Sequence, residues 1–401
     1  MWIFESELKS LAKACGADLV GVASWGNLAD DPPSANPRYL LPAANSIIAF
    51  AVSLDIEKAK EFISKKKWRP HCDDRKVIAQ KLYRIGDTLV ERLRSKGHEA
   101  VNVDLNNNYR PEDKAADVTE MTNFHPDFSH RYAALAAGIG RLGWSGNLLT
   151  RKYGALVELG SVLTSATLKA DSPIPDDEHP CDKCKMCSLV CPVEMIPPRA
   201  STQVAVAGIA ETIARKRPNT CCWIGCTGYE GLAASRTWSN WSPYRLGRAL
   251  PEEKDELDAL CISLQKADPQ MQEAANSFSN YRQVVFDPDW FYYTVCGFCR
   301  NVCSPLREDR LANRKLIVNS GFAALSLDGS HIVADHDTCE MQTPFGLHVV
   351  MPREELSKVL PKKQRWSGQF PLDRAVIDYI TERSGRRASR PEQKSNPEFL
   401  K

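Results

Sequence analysis

Seven cysteines fall into two short runs. The first, CDKCKMCSLVCP, holds Cys181, Cys184, Cys187 and Cys191; the second, CGFCRNVCSP, holds Cys296, Cys299 and Cys303. The first run has the spacing C-x2-C-x2-C-x3-C-P of a bacterial-type [4Fe-4S] ligand loop. Each cubane takes four thiolates, and in two-cluster ferredoxins the fourth Cys of a run crosses to the other cluster. Cys303 is therefore expected to complete the cluster held by Cys181, Cys184 and Cys187. Cys191 is expected to join Cys296 and Cys299 on a second cluster, which still lacks one ligand. Two adjacent clusters carry electrons, and that implies an acceptor at the end of the path. A structural zinc site, with four ligands in two C-x2-C pairs, suits these spacings far less well.

The missing thiolate must come from Cys221, Cys222, Cys226, Cys261 or a cysteine nearer either end. CCWIGCTGYEG (221–231) reads as a Gly-containing loop able to wrap a cluster, which favours Cys222 or Cys226. Cys261 lies in ELDALCISLQKA, where Leu257, Leu260 and Leu264 give it a helical setting and a core thiol is expected. Cys15, Cys72 and Cys339 stand alone and read as buried or incidental thiols. Trp223, Trp238 and Trp241 are expected to bury the surrounding segment rather than to shape a substrate mouth.

The elements that must position these groups can be read from periodicity. Helical spacing marks 5–15, and Val77, Ile78, Leu82, Ile85, Leu89, Val90 and Leu93 mark a long amphipathic helix over 75–94. Strands are expected at 16–24, 46–54, 98–105 and 155–164, with an Ala-rich helix over 130–138 ending at Gly138. This alternation predicts an α+β sandwich over residues 1–170. DSPIPDDEHP (171–180) reads as a linker into a ferredoxin-like domain over 171–310, with a large insertion at about 195–290. An extension over 311–401 should carry a strand pair around 321–335 and a helix at LDRAVIDYITER (372–383).

The whole chain of 401 residues is long enough for two to three domains. Its 52 basic and 50 acidic residues give no overall electrostatic footprint for nucleic acid or membrane. The 14 cysteines do not resemble a secreted disulfide framework, the first residues do not read as a signal peptide, and no apolar run reaches membrane-spanning length. A soluble cytoplasmic protein is expected, since a reducing cytosol suits free thiols.

HRYAALAAGIGRLGWSGNLLTRKYGALVELGSVLT (130–164), followed by the first cysteine run, resembles the core of the cobalamin-dependent iron–sulfur reductases. These are the reductive dehalogenases and the epoxyqueuosine reductases. The matching residues are Ala137, Gly138, Ile139 and Gly140, then Gly143, Leu148 and Leu149, then Leu159, Gly160, Leu163 and Thr164; GADLVGVAS is similar to the family's first strand. The resemblance implies a nitroreductase-like sandwich holding base-off cobalamin, with electrons delivered through two [4Fe-4S] clusters. It assigns Gly138, Gly140, Gly143, Leu159 and Gly160 to cofactor binding, because a Gly-rich turn lets backbone approach a large corrinoid closely. No D-x-H-x-x-G segment supplies a cobalt-ligating His, which fits a corrinoid bound without one.

The family also places a proton donor, an Asp or a Tyr, just upstream of the Gly turn. In NFHPDFSHRYAA the candidates are Asp127, His130 and Tyr132, with Arg131 as charge partner and His125 as a further possibility. Counted back from the turn, the family's Asp position falls near Phe124, so the pattern departs here. The alternative for Asp127 is an N-cap of the following helix, and for His130 and Tyr132 simple packing. No Rossmann-type G-x-G-x-x-G segment supports a dinucleotide instead. Expected partners are a small organic substrate and reduced ferredoxin or flavodoxin as donor, with no nucleic acid and no membrane. The reaction expected is reductive dehalogenation or a related cleavage, in a divergent member given the insertion. The alternatives are a corrinoid-free iron–sulfur reductase and an electron-transfer protein with a docking domain.

Overall fold

The computed structural model describes residues 2–29, 31–105, 110, 126–235, 237–242, 250–267, 281–289, 294–325, 331–334 and 339–340. Helix α1 (Trp2–Ala14) leads into β1 (Leu19–Ser24) and β2 (Ser46–Ser53). Two helices follow, α2 (Ile56–Ile63) and the long α3 (Arg69–Arg94), then the short β3 (Ala100–Asn102). After α4 (His130–Ala136) come β4 (Arg141–Leu142), β5 (Leu148–Leu149) and β6 (Val157–Thr164). The main sheet has the order β1-β2-β6-β3, with every neighbouring pair antiparallel.

Strand β2 is buried on both faces, which is why its sequence, SIIAFAVS, is an almost unbroken apolar run. Ile48, Phe50 and Val52 point to one face, under Leu8 and Ala12 of α1 and Leu82, Ile85 and Leu89 of α3. Ile47, Ala49 and Ala51 point to the other, against the Ala-rich α4. Full burial of side chains such as Ile48 and Phe50 stabilises by roughly 1.5–3 kcal/mol each. Small residues let α4 lie close: a Cβ at Gly21 would stand 2.1 Å from the Ala137 carbonyl oxygen. The expected sandwich and its four strands are present, and the result is a mixed α+β fold. Val77, expected on the apolar stripe of α3, is 55% exposed instead.

The 171–180 segment is pinned rather than free. Asp171 accepts from the Val22 amide at 2.7 Å and pairs with Lys9 Nζ at 2.7 Å. Beyond it lie α5 (Met186–Leu189) and a hairpin of β7 (Ser201–Val206) and β8 (Ile209–Ala214). Then come α6 (Asn219–Thr227), α7 (Lys254–Ala267), α8 (Tyr281–Phe286), α9 (Phe298–Asn301) and α10 (Arg307–Val318). A small sheet of β9 (Phe322–Leu325), β10 (His331–Ala334) and β11 (Cys339–Glu340) matches the strand pair expected around 321–335. The 372–383 helix lies outside the described residues, as do Phe124 and His125.

Two local expectations are corrected. The CCWIGCTG segment is helix α6, not a loop; it stops at Gly228, whose φ of 98° ends the helix in a left-handed cap. The β7–β8 hairpin, with Ala207 and Gly208 both at positive φ in its turn, was not foreseen. Trp238 and Trp241 are buried in a core with Phe62, Ile63, Trp144 and Phe298, so they supply packing as expected. Trp241 Nε1 also donates to the Phe62 carbonyl at 2.8 Å. That core draws residues from both sides of the 171–180 segment. Among the described residues no helix is long and apolar enough to cross a membrane.

Candidate functional site

Cys181, Cys184, Cys187 and Cys303 line one small cavity, together with Gly143, Trp144, Val302 and Arg310. The loop between the first three bends sharply: Lys183 and Lys185 have φ of 53° and 60°, a left-handed conformation that non-glycine residues rarely hold. Such local strain concentrates where a loop wraps a bound group. Burial pushes the Cys187 thiol up to about 12, and Cys303 is pushed up too. Burial raises Cys184 as it does Cys187 and Cys303, so these thiols are poorly placed to ionise alone; metal binding, which displaces the protons, suits them.

A second group forms beside it. Cys191, Cys296, Cys299 and Cys222 lie close enough to shift one another's ionisation. Helix α6 places Cys222 and Cys226 one turn apart on one face. Their sulfurs are 3.6 Å apart, and Cys226 also contacts Cys296. Contact with Cys226 draws the Cys296 thiol down to about 6, helped by the Phe298 and Gly297 amides and opposed by burial. Cys226 is exposed, whereas Cys222 is half-buried. Cys221 and Cys261 instead pack in a separate core with Leu257 and Leu264, as expected for Cys261. Cys72 is buried and Cys15 partly buried at the edge of the sandwich core.

One turn joins the two groups. Between β4 and β5 the chain reverses over Gly143–Asn147, with Gly146 at φ 73°. Its Trp144 amide donates to Cys181 Sγ at 3.4 Å, and Asn147 Nδ2 donates to Cys299 Sγ at 3.7 Å. The same Asn147 lines an open cleft of about 580 Å³ on its other side. The cleft walls come from Val101–Leu105, Asp127–Arg131, Val157–Leu159, Asn219 and Arg300. Apolar side chains alternate there with amides and carboxylates, the lining that a large amphiphilic ligand needs.

The residues expected to do chemistry divide within this cleft. Asp127, His130 and Arg131 line it; Tyr132 packs against the α4 core. His130 is held at both ring nitrogens, Nδ1 by Ser161 Oγ at 2.9 Å and Nε2 by the Asp104 carbonyl at 2.8 Å. The carbonyl can only accept, so Nε2 carries the proton and Nδ1 accepts from Ser161. Burial also depresses the His130 pKa. His130 is thus a brace between β6 and the end of β3, with both ring nitrogens engaged by the protein. Asp127 does not cap α4; Ser129 does, accepting from the Tyr132 amide. Arg131 reaches away from the cleft acids to donate to the Gly146 carbonyl at 2.9 Å.

Of the five residues assigned to cofactor binding, Leu159 lines the cleft and Gly143 lines the first thiol cavity. The other three make close protein contacts that account for the glycine. A Cβ would stand 2.3 Å from the Ser172 carbonyl at Gly138, 2.4 Å from the Leu149 carbonyl at Gly140 and 2.3 Å from the Phe50 ring at Gly160.

Sequence reasoning missed several polar groups here. Asp104 lines the cleft and accepts a short hydrogen bond from the buried Tyr83 hydroxyl. Glu158 is clamped by Arg300 at 2.5 Å and Arg75 at 2.9 Å. Burial pushes Glu158 up, but the two guanidinium groups outweigh it and hold the carboxyl at about 2. Arg300 follows Cys299 directly, so one ligand loop also supplies a cleft wall. The signals were a lone acid at a strand end and a lone cation inside a cysteine run, each too common to single out.

No family model matches the chain. Among curated proteins it is 28% identical over 170 residues to the epoxyqueuosine reductase of Synechocystis sp., covering 41% of this chain and 50% of the relative. It is 27% identical over 165 residues to that of Bacillus cereus, covering 39% and 37%. The chain thus matches half or less of the length of these relatives. Among solved structures, epoxyqueuosine reductase from Bacillus subtilis aligns over 49% of this chain and 53% of its own, at 22% identity and a TM-score of 0.33. A catabolic reductive dehalogenase in complex with 3-bromo-4-hydroxybenzoic acid aligns over 65% and 35%, at 16% identity and a TM-score of 0.36.

These relatives overturn the expectation of a small-molecule substrate with nucleic acid excluded: an epoxyqueuosine reductase has been solved with a tRNA stem loop. The error lay in reading net charge, which says nothing about a local patch. Over about two-fifths of its length, then, this chain is similar to epoxyqueuosine reductases.

Proposed function

We propose that this chain is a reductase that holds two [4Fe-4S] clusters beside a corrinoid. Cys181, Cys184, Cys187 and Cys303 would hold one cluster, and Cys191, Cys296, Cys299 and Cys222 the other. Cys222 is preferred to Cys226 because it lies within range of Cys191, Cys296 and Cys299 and is less exposed. The observation that carries the reading is the Gly143–Asn147 turn, which touches a sulfur of each thiol group and forms a wall of the cleft. When bound, clusters and corrinoid would supply single electrons and a strongly reducing metal centre.

The chain's own residues set the conditions for that chemistry. His130, with both ring nitrogens engaged by Ser161 and the Asp104 carbonyl, presents no open imidazole nitrogen to the cleft. Asn102, Asn147, Asn219 and Ser129 give the cleft a polar lining of the kind that suits the amide arms of a corrinoid. Among the described residues, Asp104 and Asp127 are the carboxylates that line the cleft besides the clamped Glu158, and a two-electron reduction must take up protons. Asp104 is the better positioned, with its side chain held by Tyr83 and its carbonyl by His130. The names of the relatives, one of them solved with an epoxyqueuosine-modified tRNA stem loop, make an RNA-borne epoxide the substrate to assay first.

Anaerobic purification and reconstitution with iron, sulfide and hydroxocobalamin test the reading. Retention of about one corrinoid per chain after desalting is expected, with absorption bands that change on reduction. No retention at stoichiometric loading would refute the corrinoid. An Asp104→Asn variant that keeps corrinoid but loses turnover would support the proton role, and full turnover would remove it.

A further inference from the structure

Between β8 and α6 the chain reads Arg215, Lys216, Arg217, and the middle cation turns inward. Its Nζ lies over Gly146, 2.5 Å from where a Cβ would stand on that residue. The absence of a side chain at Gly146 is what admits the ammonium to the turn. Gly146 lies in the turn that touches Cys181 and Cys299, so Lys216 stands beside both thiol groups, and it interacts electrostatically with Cys187, Cys299 and Cys222. Arg131, which donates to the Gly146 carbonyl from the cleft side, adds a second positive charge. Among the described residues no carboxylate forms an ion pair with Lys216. A half-buried cation thus sits where two groups of thiolates would otherwise repel one another.

We propose that Lys216 is the charge that allows both clusters to be reduced together. This rests on the two-cluster reading above. Each cluster gains negative charge on reduction, so an electron on one raises the cost of placing the next on its neighbour. A cation between them, in surroundings of low dielectric, offsets that repulsion for both. Cluster potentials respond to net charge and to hydrogen bonds on the sulfurs, and the Gly143–Asn147 turn supplies the second of these to one sulfur of each group. A substrate reduced by two electrons needs both stored at once, which gives the cation its function.

The test is a redox titration of the reconstituted full chain, followed by electron paramagnetic resonance, for the wild type, Lys216→Met and Lys216→Arg. With wild-type iron and sulfide content, Lys216→Met should move both midpoint potentials to more negative values. Lys216→Arg should restore both. Unchanged potentials in Lys216→Met with full cluster content would overturn the proposal. Lys216→Gln serves as a second neutral variant, and loss of clusters in both neutral variants would overturn it in favour of a role in assembly. Failure of the wild type itself to bind two clusters would instead sink the two-cluster reading.

Discussion

Replacing Glu211 by Gln should show how the hairpin is tied to the rest of the molecule. Among the described ion pairs, Arg141–Glu211 has the least exposed partners, at 1% and 2% of the side-chain surface. Glu211 Oε1 accepts from Arg141 Nε at 2.6 Å and from the Leu142 amide at 3.0 Å. Its Oε2 meets His179 Nε2 at 3.0 Å, while His179 Nδ1 accepts from the Cys181 amide at 3.0 Å. One carboxylate therefore links β8, β4 and the approach to the first cysteine run. Removing one member of a buried pair costs about 3–5 kcal/mol, because the other charge stays behind uncompensated. Arg141 would keep Asp176 at 2.8 Å, but that side chain is 90% exposed and compensates weakly.

The expected loss is thus about 3 kcal/mol, near the low end of that range. Urea unfolding followed by circular dichroism reads it as a lower midpoint at unchanged slope. An Arg141→Met/Glu211→Leu double variant should lose much less than the sum of the single changes. A loss below about 1 kcal/mol for Glu211→Gln, or additive single effects, would refute the account of a buried, coupled pair.

Two further predictions concern packing and pH. Gly160→Ala should lower stability by about 1–3 kcal/mol, since its Cβ meets the buried Phe50 ring, and Gly160→Ala/Phe50→Leu should recover part of that. A neutral Gly160→Ala would show that the ring is not what excludes a side chain there. Burial, with Arg300 and Arg75 nearby, drives His71 down to about 3 from 6.5. A folded-state value below the unfolded one contributes stability above about pH 6.5 that is lost as pH falls toward 3, by roughly 5 kcal/mol in all. His71→Gln should flatten the dependence of the urea midpoint on pH over that window; an unchanged slope would remove His71 as its source.

The sandwich was legible because its elements announce themselves locally. The run SIIAFAVS, short and rich in β-branched and aromatic residues, reads as a strand buried on both faces, and the stripe from Ile78 to Leu93 reads as a helix on a core. Spacing alone leads to the expectation that Cys303 joins the first run, and Cys303 lines the same small cavity as Cys181, Cys184 and Cys187. What could not be read depends on contacts distant in sequence. Nothing near His130 shows that Ser161 and Asp104 close on its two nitrogens and convert a candidate acid into a brace. Gly138, Gly140 and Gly160 looked like a cradle because glycine gives the same signal whether a ligand or another strand approaches it. The α6 segment, with glycines at both ends of its second turn, read as a loop until its buried neighbours made it a helix.

The central claim is that eight thiolates, one of them from the inserted helix, hold two clusters beside the cleft. Iron and sulfide content after anaerobic reconstitution tests it most directly, in the wild type beside Cys222→Ala and Cys226→Ala. The account predicts about eight irons and eight sulfides per chain in the wild type and in Cys226→Ala, with a clear deficit in Cys222→Ala. About four in the wild type, or a deficit in Cys226→Ala with Cys222→Ala intact, would contradict it.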